Sequence, residues 1–271
     1  MRLAISNIAW RQPTDNAIAP CLIAAGAEAL EVAPARIHSN PADVSAAQAA
    51  SIRALWEGRN LPIVSMQALL FGAPELVLFG SDSAREAMVE RLAATITLAG
   101  QLGCGPLVFG SPLNRLKGER AFDEALAESV PVFRRIGTYA AAAGCIFCIE
   151  ANATGYGCDF MTKLVEAASL VENVSVSSVG LVVDTGNMEM AGDDIDDLKR
   201  VIPLVRHLHI SRARLAPVDE TAELARRVLR TLKGEGYDGI VTIEMRPPQE
   251  PEDGVDAACR AVETVRGWLD A

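Results

Sequence analysis

Residues 145–150 read CIFCIE, a short apolar run that ends on a carboxylate, Glu150. Three later runs end the same way, each delivering a polar side chain as its apolar character stops. VGLVVD closes on Asp184, VRHLHI carries His209, and GIVTIE closes on Glu244. Two glutamates, an aspartate and a histidine at the ends of successive buried strands are a donor set for one divalent cation, provided that the strands converge.

Whether they converge depends on the elements around them. Leu3–Ile8, Ala29–Ala33, Pro62–Gln67 and Leu107–Gly110 are further short apolar runs bounded by polar residues, Gly or Pro, and they read as strands one to four. Helical spacing falls between the strands, over Asp15–Ala25, Val44–Glu57, Ser83–Leu102, Phe122–Ala143, Phe160–Val171, Asp194–Val201, Glu220–Leu232 and Val255–Leu269. Asp15 is placed to cap the first helix, and Gly26, Gly58, Gly103, Gly144 and Gly234 stop helices before the next strand. Eight strands alternating with eight helices predict a parallel sheet with right-handed crossovers. At this length they predict an α/β fold, a single (β/α)8 TIM barrel occupying residues 1–271. A dinucleotide-binding fold would need G-x-G-x-x-G after the first strand, and SNIAWRQ contains no glycine.

The chain has 271 residues, half of them hydrophobic, enough for one large core. Its net charge of −10 argues against nucleic-acid and anionic-membrane partners, both of which need a basic surface. No run approaches the ~18 apolar residues of a membrane span. The first residues, MRLAISNIAW, enter an element directly, without the pattern of a signal peptide. A soluble, cytoplasmic protein is expected. Six cysteines (Cys21, Cys104, Cys145, Cys148, Cys158 and Cys259) sit in apolar context and read as buried small hydrophobes. Cys145 and Cys148 have C-x-x-C spacing, but a strand points them to opposite faces, and no second pair completes a zinc ribbon.

In a (β/α)8 barrel the strand ends and the loops that follow them form the active-site mouth. Glu150, Asp184, His209 and Glu244 all belong there. Three converging carboxylates repel one another unless a cation lies between them. Oxygen donors with one imidazole suit Mn2+, Mg2+, Co2+ or Zn2+. A single strand-end carboxylate is well explained as a helix cap or an arginine partner; four polar donors on consecutive strands are not.

The segments CIEANATGYGCDFMT, LVVDTGNM, VRHLHISR and VTIEMRP, with a weaker EVAP after strand two, resemble the xylose isomerase-like barrels. That family includes the sugar phosphate isomerases/epimerases and the ketose 3-epimerases, and the resemblance covers nearly the whole chain. It implies one divalent metal held by Glu150, Asp184, His209 and Glu244. It also implies that Glu150 and Glu244 act as the proton-transfer pair on a sugar or sugar derivative, through an enediolate. His209 takes the ligand role because H-I-S-R aligns with the family's pattern. His207, two residues deeper, is expected to be a hydrogen-bonded supporting histidine. Two departures stand out. The family often reads D-x-x-H after strand six, where this chain has DTGN and Asn187, and Arg212 occupies a position where an acidic residue is common.

Asn7, Trp10, Gln67, Asn187, Arg212 and Arg246 are the candidate substrate contacts. Trp10 is placed to stack on a sugar face, and the arginines after strands seven and eight, with Arg214, are placed to form an anion pocket. Asn152 and Tyr156 lie just beyond Glu150, and His38 lies in the loop after strand two. The stretch ALLFGAPELVLFG after strand three is unusually apolar for a connection and reads as a lid or a subunit interface, which admits a homo-oligomer. The expected activity is that of a metal-dependent isomerase or epimerase. The alternative is a lyase of the same barrel that dehydrates a keto-cyclitol or cleaves a 3-keto-glycoside. An abasic-site endonuclease needs more histidines than the three present, and a non-catalytic sugar-binding barrel would not need the full ligand set.

Overall fold

The computed structural model describes residues 1–11, 15–249 and 253–271. Its strands are β1 (Arg2–Ser6), β2 (Ala29–Val32), β3 (Ile63–Met66), β4 (Pro106–Phe109), β5 (Ile146–Glu150), β6 (Val179–Asp184), β7 (Val205–Ile210) and β8 (Ile240–Ile243). They close in sequence order into a parallel barrel, with β8 paired back onto β1. The helices around it are α1 (Asp15–Ala25), α2 (Ala46–Glu57), α3 (Asp82–Leu102), α4 (Phe122–Ala142), α5 (Leu164–Val174), α6 (Thr185–Ala191), α7 (Ile195–Val201), α8 (Glu223–Gly234) and α9 (Asp253–Asp270). The fold is a single (β/α)8 TIM barrel. The side chain of Asp15, the expected cap of α1, lies outside what the structure describes.

Alternation along the strands sorts the side chains into two environments. Outward-facing residues such as Leu3, Ile5, Phe147, Ile149, Leu181 and Val183 are fully buried between barrel and helices. There Phe109 lies 5.4 Å, ring to ring, from both Phe133 and Phe147. Inward-facing residues change from apolar to polar along the axis. Val108, Cys148 and Val182 form an apolar cluster inside the barrel, and Glu150, Asp184 and His209 lie further toward the C-terminal ends. The register sets Asp184 opposite His209 on neighbouring strands.

Three expectations need correction. Between β6 and β7 the chain forms two helices rather than one. The extra helix, α6, begins directly at Asp184, which caps it by accepting from the Asn187 backbone N–H. Its seven residues are too few for a periodic apolar pattern to stand out. The apolar loop after β3 belongs partly to the core: Leu69, Leu70, Leu76 and Leu78 are buried, while Phe71 is 76% exposed. Finally, Cys21 and Cys259 form a disulfide between α1 and α9, because closure of the barrel brings together helices far apart in sequence. The other four cysteines are free and buried as expected. Among the described residues, no helix is long and apolar enough to cross a membrane.

Candidate metal and proton-transfer site

The strand ends do converge. Donor atoms of Glu150, Asp184, His209 and Glu244 all lie within 4.8 Å of one another. From Nδ1 of His209 the nearest carboxylate oxygens are Glu150 Oε1 and Glu244 Oε2, both at 3.3 Å, and Asp184 Oδ2 at 3.8 Å. His209 is wholly buried, and the three carboxylates are buried at the floor of the mouth.

Two of the carboxylates are held by hydrogen-bond partners. Asp184 Oδ1 accepts the Asn187 backbone N–H at 2.6 Å, and Oδ2 accepts the Ser211 hydroxyl at 2.7 Å. Glu150 Oε2 accepts from Asn152 Nδ2 at 2.8 Å, and Asn152 Oδ1 in turn accepts from the fully buried Arg115 at 2.9 Å. Glu150 Oε1 and His209 Nδ1 are buried with no hydrogen-bond partner. Gly110 makes room for this arrangement, since a Cβ there would meet Glu150 Oε2 at 2.5 Å.

Electrostatics point the same way. Burial, followed by the charges of Glu150 and Glu244, pushes the Asp184 carboxyl up to about 7. Burial also raises Glu244, against the attraction of His209. Burial disfavours a charged His209, but the surrounding carboxylates, Glu31 and Glu244 foremost, outweigh it and raise the imidazole well above its ordinary range. Unpartnered buried donors among mutually repelling carboxylates are what a cation would satisfy, and the residues fit a hard divalent ion.

Below this cup lies a group that sequence reading missed. Glu31, in the middle of β2 and wholly buried, accepts from Ser65 Oγ at 2.8 Å. Its Oε2 is 3.0 Å from His207 Nε2, and His209 Nε2 lies 3.1 Å from Oε1 and 3.3 Å from Oε2. Burial works against its charge, yet the two imidazoles hold the carboxyl well below the usual range. A carboxylate at His209 Nε2 fixes the proton there and turns Nδ1 toward the cup. His207 is thus a hydrogen-bonded supporting histidine. The available signal was a glutamate inside the apolar run ALEVA.

The candidate substrate contacts divide into two sets. Gln67, Asn187 and Arg246, together with Glu150, Glu244, Asn152 and Tyr156, line a cavity of about 440 Å3 at the mouth. Asn187 also braces the loop after β5 by accepting the Ala153 N–H at 2.9 Å, and Gln67 donates to Ser6 at 2.9 Å. Burial, with Asp184 and Glu244 adding, pushes Tyr156 up to about 12, so it presents a neutral hydroxyl. Asn7, Trp10 and Arg212 lie outside the lining. Asn7 accepts the Ala33 N–H at 2.9 Å, tying the ends of β1 and β2 together, and Trp10 is buried in the core. Arg212 donates to Asp219 at 2.8 Å. Among the described lining residues Arg246 is the one arginine, so the three arginines do not form a pocket. His38 pairs locally with Asn40 and is not among the residues that line the cavity.

The sequence matches the xylose isomerase-like TIM barrel family over residues 22–265. The chain belongs to that family. No curated protein matches it in sequence. Solved structures similar to this xylose isomerase-like barrel include an L-ribulose 3-epimerase, at 16% identity and a TM-score of 0.80, covering 99% of this chain and 94% of that one. D-psicose 3-epimerase from Clostridium cellulolyticum H10 aligns at 15% identity and a TM-score of 0.76, covering 100% and 97%. 3-Keto-D-glucoside 4-epimerase from E. coli aligns at 13% identity and a TM-score of 0.75, covering both chains fully. An IolI protein with a bound zinc atom aligns at 16% identity and a TM-score of 0.75, covering 100% and 98%. At these identities the likeness is one of fold.

Proposed function

We propose that this protein is a metal-dependent isomerase or epimerase acting on a small sugar or sugar derivative. The observation that carries the reading is the cup itself: four buried donors from consecutive strands, two of them with unpartnered atoms, at the floor of an open cavity. The epimerases of like fold are consistent with it.

Glu150, Asp184, His209 and Glu244 would hold the cation, one of Mn2+, Mg2+, Co2+ or Zn2+. When bound, it polarises a ketone and the neighbouring hydroxyl, making the intervening C–H acidic. The chain's own groups do the rest. Glu150, oriented by Asn152 and Arg115, takes the proton on one face, leaving an enediolate. Glu244, whose carboxyl burial raises, starts protonated and gives that proton to the other face, which inverts the carbon and leaves Glu150 protonated until it exchanges with solvent. Return to the neighbouring carbon exchanges aldose and ketose. Asn187 and Tyr156 offer neutral hydrogen bonds to hydroxyls, and Arg246 is the cation at the rim. The same enediolate expels a substituent on the next carbon if no proton arrives first. We place the protein in the cytoplasm. Disulfides are uncommon in such reducing compartments, so Cys21 and Cys259 would pair on oxidation.

The test is proton exchange. Wild type, loaded with Mn2+ and offered a panel of ketoses in D2O, is expected to incorporate solvent deuterium next to the carbonyl of at least one. Glu150→Gln and Glu244→Gln should each slow turnover ~10^2- to 10^4-fold. Turnover that survives both substitutions contradicts the mechanism.

A further inference from the structure

The cavity above the cup has two unlike sides. Its floor and one flank are polar, with Glu150, Asn187, Glu244, Tyr156 and Arg246. The other flank is built from the loops after β3 and β4 and presents Leu70, Phe71, Pro74, Pro112 and Leu113. Phe71 is 76% exposed and Leu113 57%, so two large apolar side chains stand in water at the rim of one cavity. Both line the same cavity, so an apolar part of a ligand that entered it would cover them.

The apolar flank is a constructed wall. The buried Asn114 of the second loop donates its side-chain amide to Ala73 O and Leu76 O of the first, both at 2.8 Å. The Leu78 N–H returns a bond to Asn114 O at 2.8 Å. Leucines 69, 70, 76 and 78 anchor the first loop in the core. The wall is also continuous with the cup, because Gly110, at the start of the second loop, packs directly against Glu150 and Asn152. A bare monosaccharide carries a hydroxyl on nearly every carbon. Those facing the wall would lose water without gaining a hydrogen-bond partner.

We propose that the natural substrate is amphipathic: a hydroxy-ketone end sits over the cup, and an apolar substituent, an aryl or comparable hydrocarbon aglycone, lies against Phe71, Leu113 and their neighbours. This deepens the sugar-enzyme reading and rests on it. The volume suits more than a monosaccharide, since cavities of ~300–1,000 Å3 take drug-sized ligands.

The probes are phenyl 3-keto-β-D-glucoside and methyl 3-keto-β-D-glucoside, which share the hydroxy-ketone and differ only in the aglycone, titrated calorimetrically into the Mn2+-loaded protein. Metal content and oligomeric state are measured on the same samples. The phenyl glycoside is expected to bind ~10-fold or more tightly than the methyl glycoside. Phe71→Ser and Leu113→Ser, both at exposed positions, should bring that ratio close to one while leaving metal content and thermal stability unchanged. Equal affinity in wild type, or binding of neither probe, overturns the proposal. So does a dimer that Phe71→Ser dissociates with the ratio intact, which would make the wall a subunit interface. A chain that binds no metal but keeps the phenyl preference would refute the metal reading and leave the apolar subsite standing.

Discussion

Glu31 carries more of the site than its place in an apolar strand suggests. It is wholly buried and bridges His207 and His209, so its loss affects both the packing of the barrel interior and the direction of His209 Nδ1. Glu31→Gln is expected to weaken divalent-metal binding ~10- to 100-fold, because an amide can donate to Nε2 and so favour the wrong tautomer. Loss of the buried charge is expected to cost about 3–5 kcal/mol of stability. Metal titration and thermal melts of the same variant measure the two effects separately. Asp184 makes a second prediction. Below its ordinary value of 3.8 the carboxyl is protonated in folded and unfolded chains alike; between there and about 7 the unfolded chain releases the proton while the fold retains it. This group therefore contributes stability to the metal-free protein that is present at low pH and lost as pH rises toward 7. Asp184→Asn should flatten that part of the Tm-against-pH curve, and an unchanged slope would show that Asp184 is not the group responsible. The four cup residues were legible in sequence because each stands at or next to the end of an apolar run. Trp10 and Arg212 were misleading for a physical reason: following a strand end fixes a residue's neighbourhood but not its side-chain direction, which Asp219 decides for Arg212.

At the scale of elements, α6 and the loop after β7 form one device. Asp184 ends β6 and caps α6, and Ser211, just after β7, donates to Asp184 and accepts from the Gly186 N–H at 2.8 Å. Thr185 and Ser211 add a reciprocal pair of side chain–backbone bonds. The approach is close enough that a Cβ on Gly186 would meet the Arg212 carbonyl oxygen at 2.5 Å. Gly186→Ala is therefore expected to destabilise the fold by about 1–3 kcal/mol and to weaken metal binding by displacing Ser211 from Asp184. Melting and metal titration check it; a variant with wild-type affinity would separate the loop from the cup. Strands and long helices were readable from periodicity. This helix was not, because its formation depends on a cap and a tertiary contact rather than on its own apolar face.

At the scale of the whole molecule, closure of the barrel brings distant parts of the chain together. The β1–β8 pairing and the packing of α1 on α9 bring Cys21 to Cys259 across 238 residues. Unfolded under non-reducing conditions, the protein is expected to show four titratable thiols per chain, from Cys104, Cys145, Cys148 and Cys158, and six after reduction. Six without reductant would mean that the pair is open. Composition could assign the cysteines to the interior, but pairing depends on three-dimensional closure. The barrel itself was legible because eight alternating units allow few other architectures, and the convergence of the cup follows from the barrel.

Metal content tests the central claim most directly. Purified protein, stripped with chelator, reloaded with Mn2+ and desalted, is expected to retain one ion per chain by elemental analysis. Asp184→Ala and His209→Ala should retain none while still giving the circular dichroism of a folded barrel. Wild type that holds no ion, or variants that hold it as well as wild type, would contradict the account.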